Sequence, residues 1–208
     1  DGPGILQRDK QAMGIDRHPE GMIFPDTYNF TRGTSDLEIL RRANRLLEQV
    51  LEQEWQARDV GLPYDGPYQA LIMASIIEKE TAVAAEREQI AGVFVRRLQR
   101  GMRLQTDPTV IYGLGALFDG DLTRADLRRQ SPYNTYLNNG LPPTPIALAG
   151  REAIAASLHP EQGDTLYFVA RGDGSHQFSA TLEEHNAAVQ RYQINREPVI
   201  DIIQPSEQ

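Results

Sequence analysis

The sequence predicts an α+β protein, mainly helical, with small β-hairpin elements. Three observations predict it. Two Ser/Thr-x-x-Glu capping boxes, at Ser35–Glu38 and Thr181–Glu184, each head a run with helical spacing. Between them, Tyr68 to Ile77 is apolar on nearly every side of a helix projection, so it belongs inside a domain. Finally, Thr165–Ala170 alternates as a strand, and Gly172-Asp173-Gly174-Ser175 turns it back into His176–Ser179.

Taken in order, residues 1–34 are rich in Gly, Pro, Asp and Thr and have no helical period; they read as a packed connector. Within it, Met22 to Phe30 suggests short extended structure broken by a Pro-Asp turn. The first helix starts at the Ser35 box and carries Leu37, Leu40, Ala43, Leu47, Val50, Leu51 and Trp55 to about Arg58, where Gly61-Leu62-Pro63 breaks it. The central helix spans Tyr68 to Thr81. Another spans Ala85 to Arg100, with Ile90, Val93, Phe94 and Leu98 inward and Gly101 as its C-terminal cap. Met102 to Thr109 reads as irregular or short extended chain, and Val110-Ile111-Tyr112-Gly113 as the lead into a Gly-rich loop. Thr123 to Arg129 makes a short capped helix, and residues 130–149 are turn formers throughout. A long ordered loop of that kind is often functional. A helix from Arg151 to Leu158 stops at His159-Pro160, and a last one lies near His185 to Ile194. The tail, 196–208, is polar.

The totals exclude several functions. A chain of 208 residues with 40% hydrophobic and 24% charged residues suits one core, or one core and a small satellite. A net charge of -8 and a pI near 5.0 argue against nucleic acid as a partner and against docking on anionic lipid. Without cysteine there is no disulfide, thiolate catalysis or Cys-type zinc site. His18, His159, His176 and His185 are scattered and form no metal-binding frame, so each reads as a loop or core histidine and no metal or cofactor is expected. No G-x-S-x-G elbow, Walker loop or dinucleotide fingerprint occurs. No run reaches the roughly 18 apolar residues of a membrane span, and no signal peptide is visible. A chain that opens on Asp1 rather than Met reads as a trimmed fragment.

Carboxylate chemistry remains. At the end of the greasy helix, Glu80 follows Ile76 by one turn, while Glu78 falls near Leu71 and Ala74 on nearly the opposite side. A carboxyl group held among apolar side chains has its charged form disfavoured and its pKa raised, as a general acid near neutral pH requires. The competing reading makes Glu78, Lys79 and Glu80 the solvated end of a buried helix. Tyr, Asn, Gln and Pro clustered in loops would suit a sugar, with its apolar faces and many hydroxyls.

Several stretches resemble the endolytic murein transglycosylase family, also called MltG or YceG-like. They are Glu20 to Tyr28, Ala74 to Thr81, Gly101 to Gly113, Tyr133-Asn134-Thr135-Tyr136, Gly140-Leu141-Pro142-Pro143, His159-Pro160, Tyr167-Phe168-Val169 and Glu184-His185-Asn186. The resemblance covers roughly residues 20–192, and the Gly101–Gly113 stretch is its most specific part. Thr144 departs from it, standing where a Gly is expected.

The resemblance implies a lysozyme-like helical catalytic domain over 35–195, with 1–34 a connector or the remnant of an N-terminal LysM-like subdomain. It implies lytic cleavage, without water, of the MurNAc-GlcNAc β-1,4 bond in peptidoglycan strands, leaving 1,6-anhydroMurNAc ends. It selects Glu80, ahead of Thr81, as the single acid and then base. Gln105 takes the place of the family's Gln, and Tyr133 with Asn134 that of its Tyr-Asn. Glu78, Thr81, Asp107, Tyr112 and Thr135 are the other candidates for assisting or binding substrate, and Asp107 serves equally well as a cap before Pro108. An N-terminal membrane anchor outside this chain, a periplasmic or extracytoplasmic location on the inner membrane, and cell-wall synthases as partners are implied too. Two alternatives stand beside this reading: a hydrolase pairing Glu80 with Glu78 or Asp107, and a non-catalytic wall-binding module.

Overall fold

From Ala70 to Ile77 every residue of the central helix is buried, and the rest of the fold is arranged about that segment. The computed structural model describes residues 19–194; the expectations for residues 1–18, His18 among them, and for the tail from Arg196 lie outside these. The described residues form six α-helices and one two-stranded antiparallel sheet: α1 Asp36–Ala57, α2 Pro67–Glu80, α3 Arg87–Gln99, α4 Asp107–Leu114, α5 Arg151–Leu158, β1 Tyr167–Ala170, β2 His176–Ser179 and α6 Leu182–Val189. This is the expected α+β class. None of these helices is long and apolar enough to cross a membrane.

Helix α2 opens with Pro67 in its first turn, where a missing N–H leaves no bond unmade. Leu71, Met73, Ile76 and Ile77 are all fully buried, each worth roughly 1.5–3 kcal/mol of burial. Helices α1, α3 and α5 pack round it. Helix α1 brings Ala43, Leu47 and Val50. Its capping box forms as expected, the Ser35 hydroxyl accepting from Glu38 N–H and the Glu38 carboxylate from Ser35 N–H. Residues 19–34 form no strand but lie against α1, where Asn44 Nδ2 donates to Met22 O at 2.8 Å and Phe24 N–H to Ala43 O.

Helix α3 is preceded by a 3-10 turn, Ala84–Glu86. It closes at Gly101 (φ 67°), with Met102 N–H on Arg97 O and Gly101 N–H on Leu98 O. These are the two bonds of a Schellman cap. Gly92 allows a close approach, since a Cβ there would lie 2.5 Å from Glu161 O.

The structure corrects the sequence reading at α4. Asp107-Pro108-Thr109 is not irregular chain, and Val110 to Gly113 is not a loop; together they are a helix. Pro108 and Gly113 read as breakers, yet Pro sits harmlessly in a first turn. Gly113 is kept small by its neighbour, because a Cβ there would meet Ser131 Oγ at 2.7 Å. The short helix expected over Thr123–Arg129 is a 3-10 turn, Asp126–Arg128, with Thr123 Oγ1 accepting from Asp126 N–H. The last helix begins at Leu182 and passes into a π-helical turn, Gln190–Ile194. Thr81 caps α2 rather than extending it.

Residues 130–149 are irregular, as expected, but tightly held. Ser75 Oγ on α2 accepts from Ile146 N–H at 3.0 Å. Asn134 donates to Leu127 O and Arg129 O and accepts from Tyr136 N–H. In the hairpin, Phe168 stands opposite Phe178 and Ala170 opposite His176. Arg96 and Arg97 of α3 fasten it: Arg96 donates to Thr165 O at 2.7 Å, and Arg97 to Leu166 O and Leu104 O, both at 2.7 Å.

Candidate active site

Helix α2 ends where the 101–107 segment, β1, β2 and α6 converge, and this leaves a cleft of about 260 Å³. Glu80, the last residue of α2, lies in its wall with Gln105, Asp107, Tyr136, His176 and His185. Phe168, Val169 and Leu104 supply apolar surface.

The Glu80 carboxyl is enclosed by protein on all but its cleft side. That loss of water pushes its pKa up to about 7; a hydrogen bond from Thr106 opposes the rise, Asp107 adds to it, and His176 and Arg97 oppose it. Thr106 Oγ1 donates to Glu80 Oε2 at 2.7 Å. Thr106 is itself fixed, its N–H donating to Thr135 Oγ1 at 3.1 Å. Gln105, just before it, has φ 53°, the one described residue other than Gly with positive φ. Its N–H donates to Thr135 O. A left-handed residue at the cleft rim is a strained feature of the kind that gathers at functional sites.

Asp107 opens α4 and accepts from the Tyr136 hydroxyl at 2.6 Å. Burial, then this bond to Asp107, raises the Tyr136 pKa, so the phenol remains a donor. Arg97 is spent on backbone carbonyls, and its guanidinium also faces the Tyr167 ring. His176 Nδ1 is 2.7 Å from Glu86 Oε2, and its N–H donates to Glu86 Oε1 at 2.9 Å. His185 stacks on Tyr167, and burial with Arg97 nearby lowers its pKa.

The structure places the sequence-derived candidates in different surroundings. Glu80, Gln105 and Asp107 share the cleft. Asn134 and Thr135 are buried behind it and hold its wall. Thr81 caps α2 and accepts from Val83 N–H. Tyr133 and Tyr112 are not in the lining; their rings pack at 4.7 Å, with Tyr133 on Thr144 Oγ1 and Tyr112 donating to Glu20 Oε2. Glu78 faces away, accepting from Gly150 N–H at the start of α5. It therefore serves the start of α5, on the side of α2 opposite Glu80.

Sequence reasoning missed Tyr136, His176 and His185 as cleft residues. A signal for His176 existed: His176 and Phe178 alternate on one face of β2, which points the imidazole to the side that Phe168 and Phe178 bury. Among the described residues no group of His, Asp and Glu is arranged to hold a metal ion.

A family model described as the YceG-like family matches residues 5–191. An endolytic murein transglycosylase of Bacillus subtilis is 42% identical over 182 residues, covering 85% of this chain and 49% of the relative. One from Streptococcus pneumoniae (strain D39) is 32% identical over 184 residues, covering 82% of this chain and 31% of the relative. The chain thus spans about half the length of the first and about a third of the second. A crystal structure of a yceG-like protein from Listeria monocytogenes superposes with a TM-score of 0.73 at 37% identity, over 90% of this chain and 64% of that one.

Proposed function

This chain belongs to the YceG-like family, and from that premise we propose that it carries the catalytic centre of an endolytic murein transglycosylase. It cleaves the β-1,4 bond between MurNAc and GlcNAc and leaves a 1,6-anhydroMurNAc end. The observation that carries the reading is Glu80: a carboxyl at the close of a buried helix, open to a cleft, with its pKa pushed up to about 7. Such a group is protonated often enough to act as an acid and ionised readily enough to act next as a base.

In the first step Glu80 donates its proton to the glycosidic oxygen as that oxygen's bond to MurNAc C1 breaks. In the second, the Glu80 carboxylate takes the proton of the MurNAc C6 hydroxyl, whose oxygen bonds to C1. The proton count on Glu80 is restored and no water is consumed. Glycosidases that use water need a second carboxylate; a hydroxyl held on the same sugar replaces it by proximity. Thr106 occupies Oε2, which leaves Oε1 to serve both sugar oxygens. Gln105 and Tyr136 offer polar contacts in the cleft, and Phe168 an apolar one.

Membrane attachment through an N-terminal segment outside this chain, action on the outer face of the inner membrane and contact with cell-wall synthases belong to the same proposal. They rest on the family alone.

Product analysis on purified glycan strands tests it. Wild type should release fragments one water lighter than hydrolysis products, and Glu80→Gln should lose at least 100-fold in rate, the order that removing an acid–base group costs, with folding intact. Glu78→Gln should stay active, because Glu78 serves Gly150. Asp107 lies in the same cleft, so a two-carboxylate hydrolase is the competing chemistry, and products carrying one added water would establish it instead.

A further inference from the structure

Thr106 stands at the N-cap of α4, and Thr is favoured there because its side-chain oxygen can accept from an N–H of the first turn. Here it does not. No side-chain capping bond forms, and the hydroxyl is turned instead to Glu80 Oε2, 2.7 Å away. Helix α4 gives up a stabilising bond, and the carboxyl gains one. A second local cost lies one residue earlier, where Gln105 has φ 53°, a conformation that disfavours any side chain. What holds Thr106 in this pose is a closed ring of buried groups. Its N–H donates to Thr135 Oγ1 at 3.1 Å, the Thr135 and Thr109 hydroxyls are 2.8 Å apart, and Thr109 Oγ1 is 2.8 Å from Thr106 O. Each hydroxyl has one proton to give. Thr109 lies closer to Thr106 O than Thr135 does, at 2.8 against 3.5 Å, so Thr109 donates there and Thr135 donates to Thr109. Both backbone polar groups of Thr106 are thereby satisfied, and its hydroxyl has one acceptor among the described residues, Glu80.

We propose that Thr106 is a positioning residue for Glu80: clamped by Thr109 and Thr135, its hydroxyl keeps Oε2 an acceptor and so confines the travelling proton to Oε1. This rests on the reading of Glu80 as acid and base, and it gives the two carboxyl oxygens different duties. A neutral carboxyl carries one proton. Were that proton on Oε2, it would have to be donated to Thr106 Oγ1, and the buried Thr106 hydroxyl would lose its acceptor, which is costly. On Oε1 it is available to substrate, because among the described residues nothing bonds that oxygen. In the first step Oε1 gives the proton to the glycosidic oxygen. In the second, Oε1 takes the C6 hydroxyl proton as the C6 oxygen closes on C1. Between the two steps the bond from Thr106 strengthens, since its acceptor is then charged. The carboxyl need not turn over between transfers, so both sugar oxygens meet the same atom. The other ionisable groups lining the cleft are Arg97 from α3, Asp107 from α4, Tyr136 from the loop, His176 from β2 and His185 from α6. None of them hydrogen-bonds either oxygen of Glu80.

Two measurements on two variants test this. Thr106→Val keeps the shape and removes the hydroxyl, whereas Thr106→Ser keeps the hydroxyl. The first measurement is the infrared carbonyl stretch of protonated Glu80, isolated below its pKa as the difference between wild type and Glu80→Gln, which needs no substrate. In wild type it should be the stretch of a carbonyl that accepts a hydrogen bond. It should move to higher frequency in Thr106→Val and stay in Thr106→Ser. The second is steady-state kinetics on purified glycan strands. Turnover, kcat, should fall about 10-fold or more in Thr106→Val while KM stays within about twofold, as expected when a reacting group is misplaced without loss of substrate contacts. Thr106→Ser should recover most of that loss. The alkaline limb of kcat/KM should move to higher pH in Thr106→Val, because a bond favouring the charged carboxylate is gone. An unbonded carbonyl stretch in wild type overturns the proposal, even if Thr106→Val does not fold. So does unchanged kcat in folded Thr106→Val, and so do equal losses in the Val and Ser variants, which would make the methyl group rather than the hydroxyl responsible. Failure of the transglycosylase reading looks different: the infrared shifts persist, but wild type gives no anhydro product.

Discussion

At the residue scale, Glu80 links function to stability through one proton. Its pKa rises from an ordinary 4.5 to about 7 on folding, chiefly because burial removes water from the carboxylate. The folded chain therefore holds this proton more tightly than the unfolded one. Its contribution to stability is fully present below about pH 4.5 and is lost as pH rises through about 7. Glutamine has no proton to lose. Relative to wild type, Glu80→Gln should become more stable as pH is raised from 4 to 8, by up to about 3 kcal/mol at 1.36 kcal/mol per pKa unit. Urea melts of both proteins across that range would measure it; a constant difference would mean that the carboxyl is solvated. The same pKa places the alkaline limb of kcat/KM near pH 7, since the first step needs the protonated acid.

At the scale of elements, the cleft depends on how closely α3 approaches its neighbours. Gly92→Ala should destabilise the protein by about 1–3 kcal/mol although Ala is the better helix former, because the new Cβ meets the Glu161 carbonyl. A thermal or urea melt reads the loss, and an unchanged stability would show that the 160s segment yields. Arg97→Met should cost about 3 kcal/mol or more, since buried carbonyls of Leu166 and Leu104 lose their donor. Hydrogen exchange should then quicken in β1 and β2 before it does in α2. The elements themselves differed in how readable they were. Helix α1 was legible down to its capping bonds because Ser35 and Glu38 act within one turn. Helix α4 was not, because whether Pro108 and Gly113 break a helix depends on what packs beside them.

For the whole molecule, α2 serves as both core and support for the site. Its Ser75 holds the 130–149 loop at Ile146, its Glu78 holds the start of α5, and its last residue enters the cleft. The local pattern alone settled the α+β class, the buried helix, the hairpin and the two faces on which Glu78 and Glu80 fall, since periodicity and capping need only neighbouring residues. The family resemblance, which the profile match over residues 5–191 bears out, chose between the two carboxylates. Only the tertiary structure decided which polar residues share the cleft with Glu80. Tyr136, His176 and His185 arrive from a loop, a strand and a helix far apart in the chain, while Tyr133 and Tyr112, prominent in sequence, pack elsewhere. The physical reason is that a pKa and a binding surface are set by whatever lies within a few ångströms in space, and sequence spacing fixes such neighbours only within a single helix or strand.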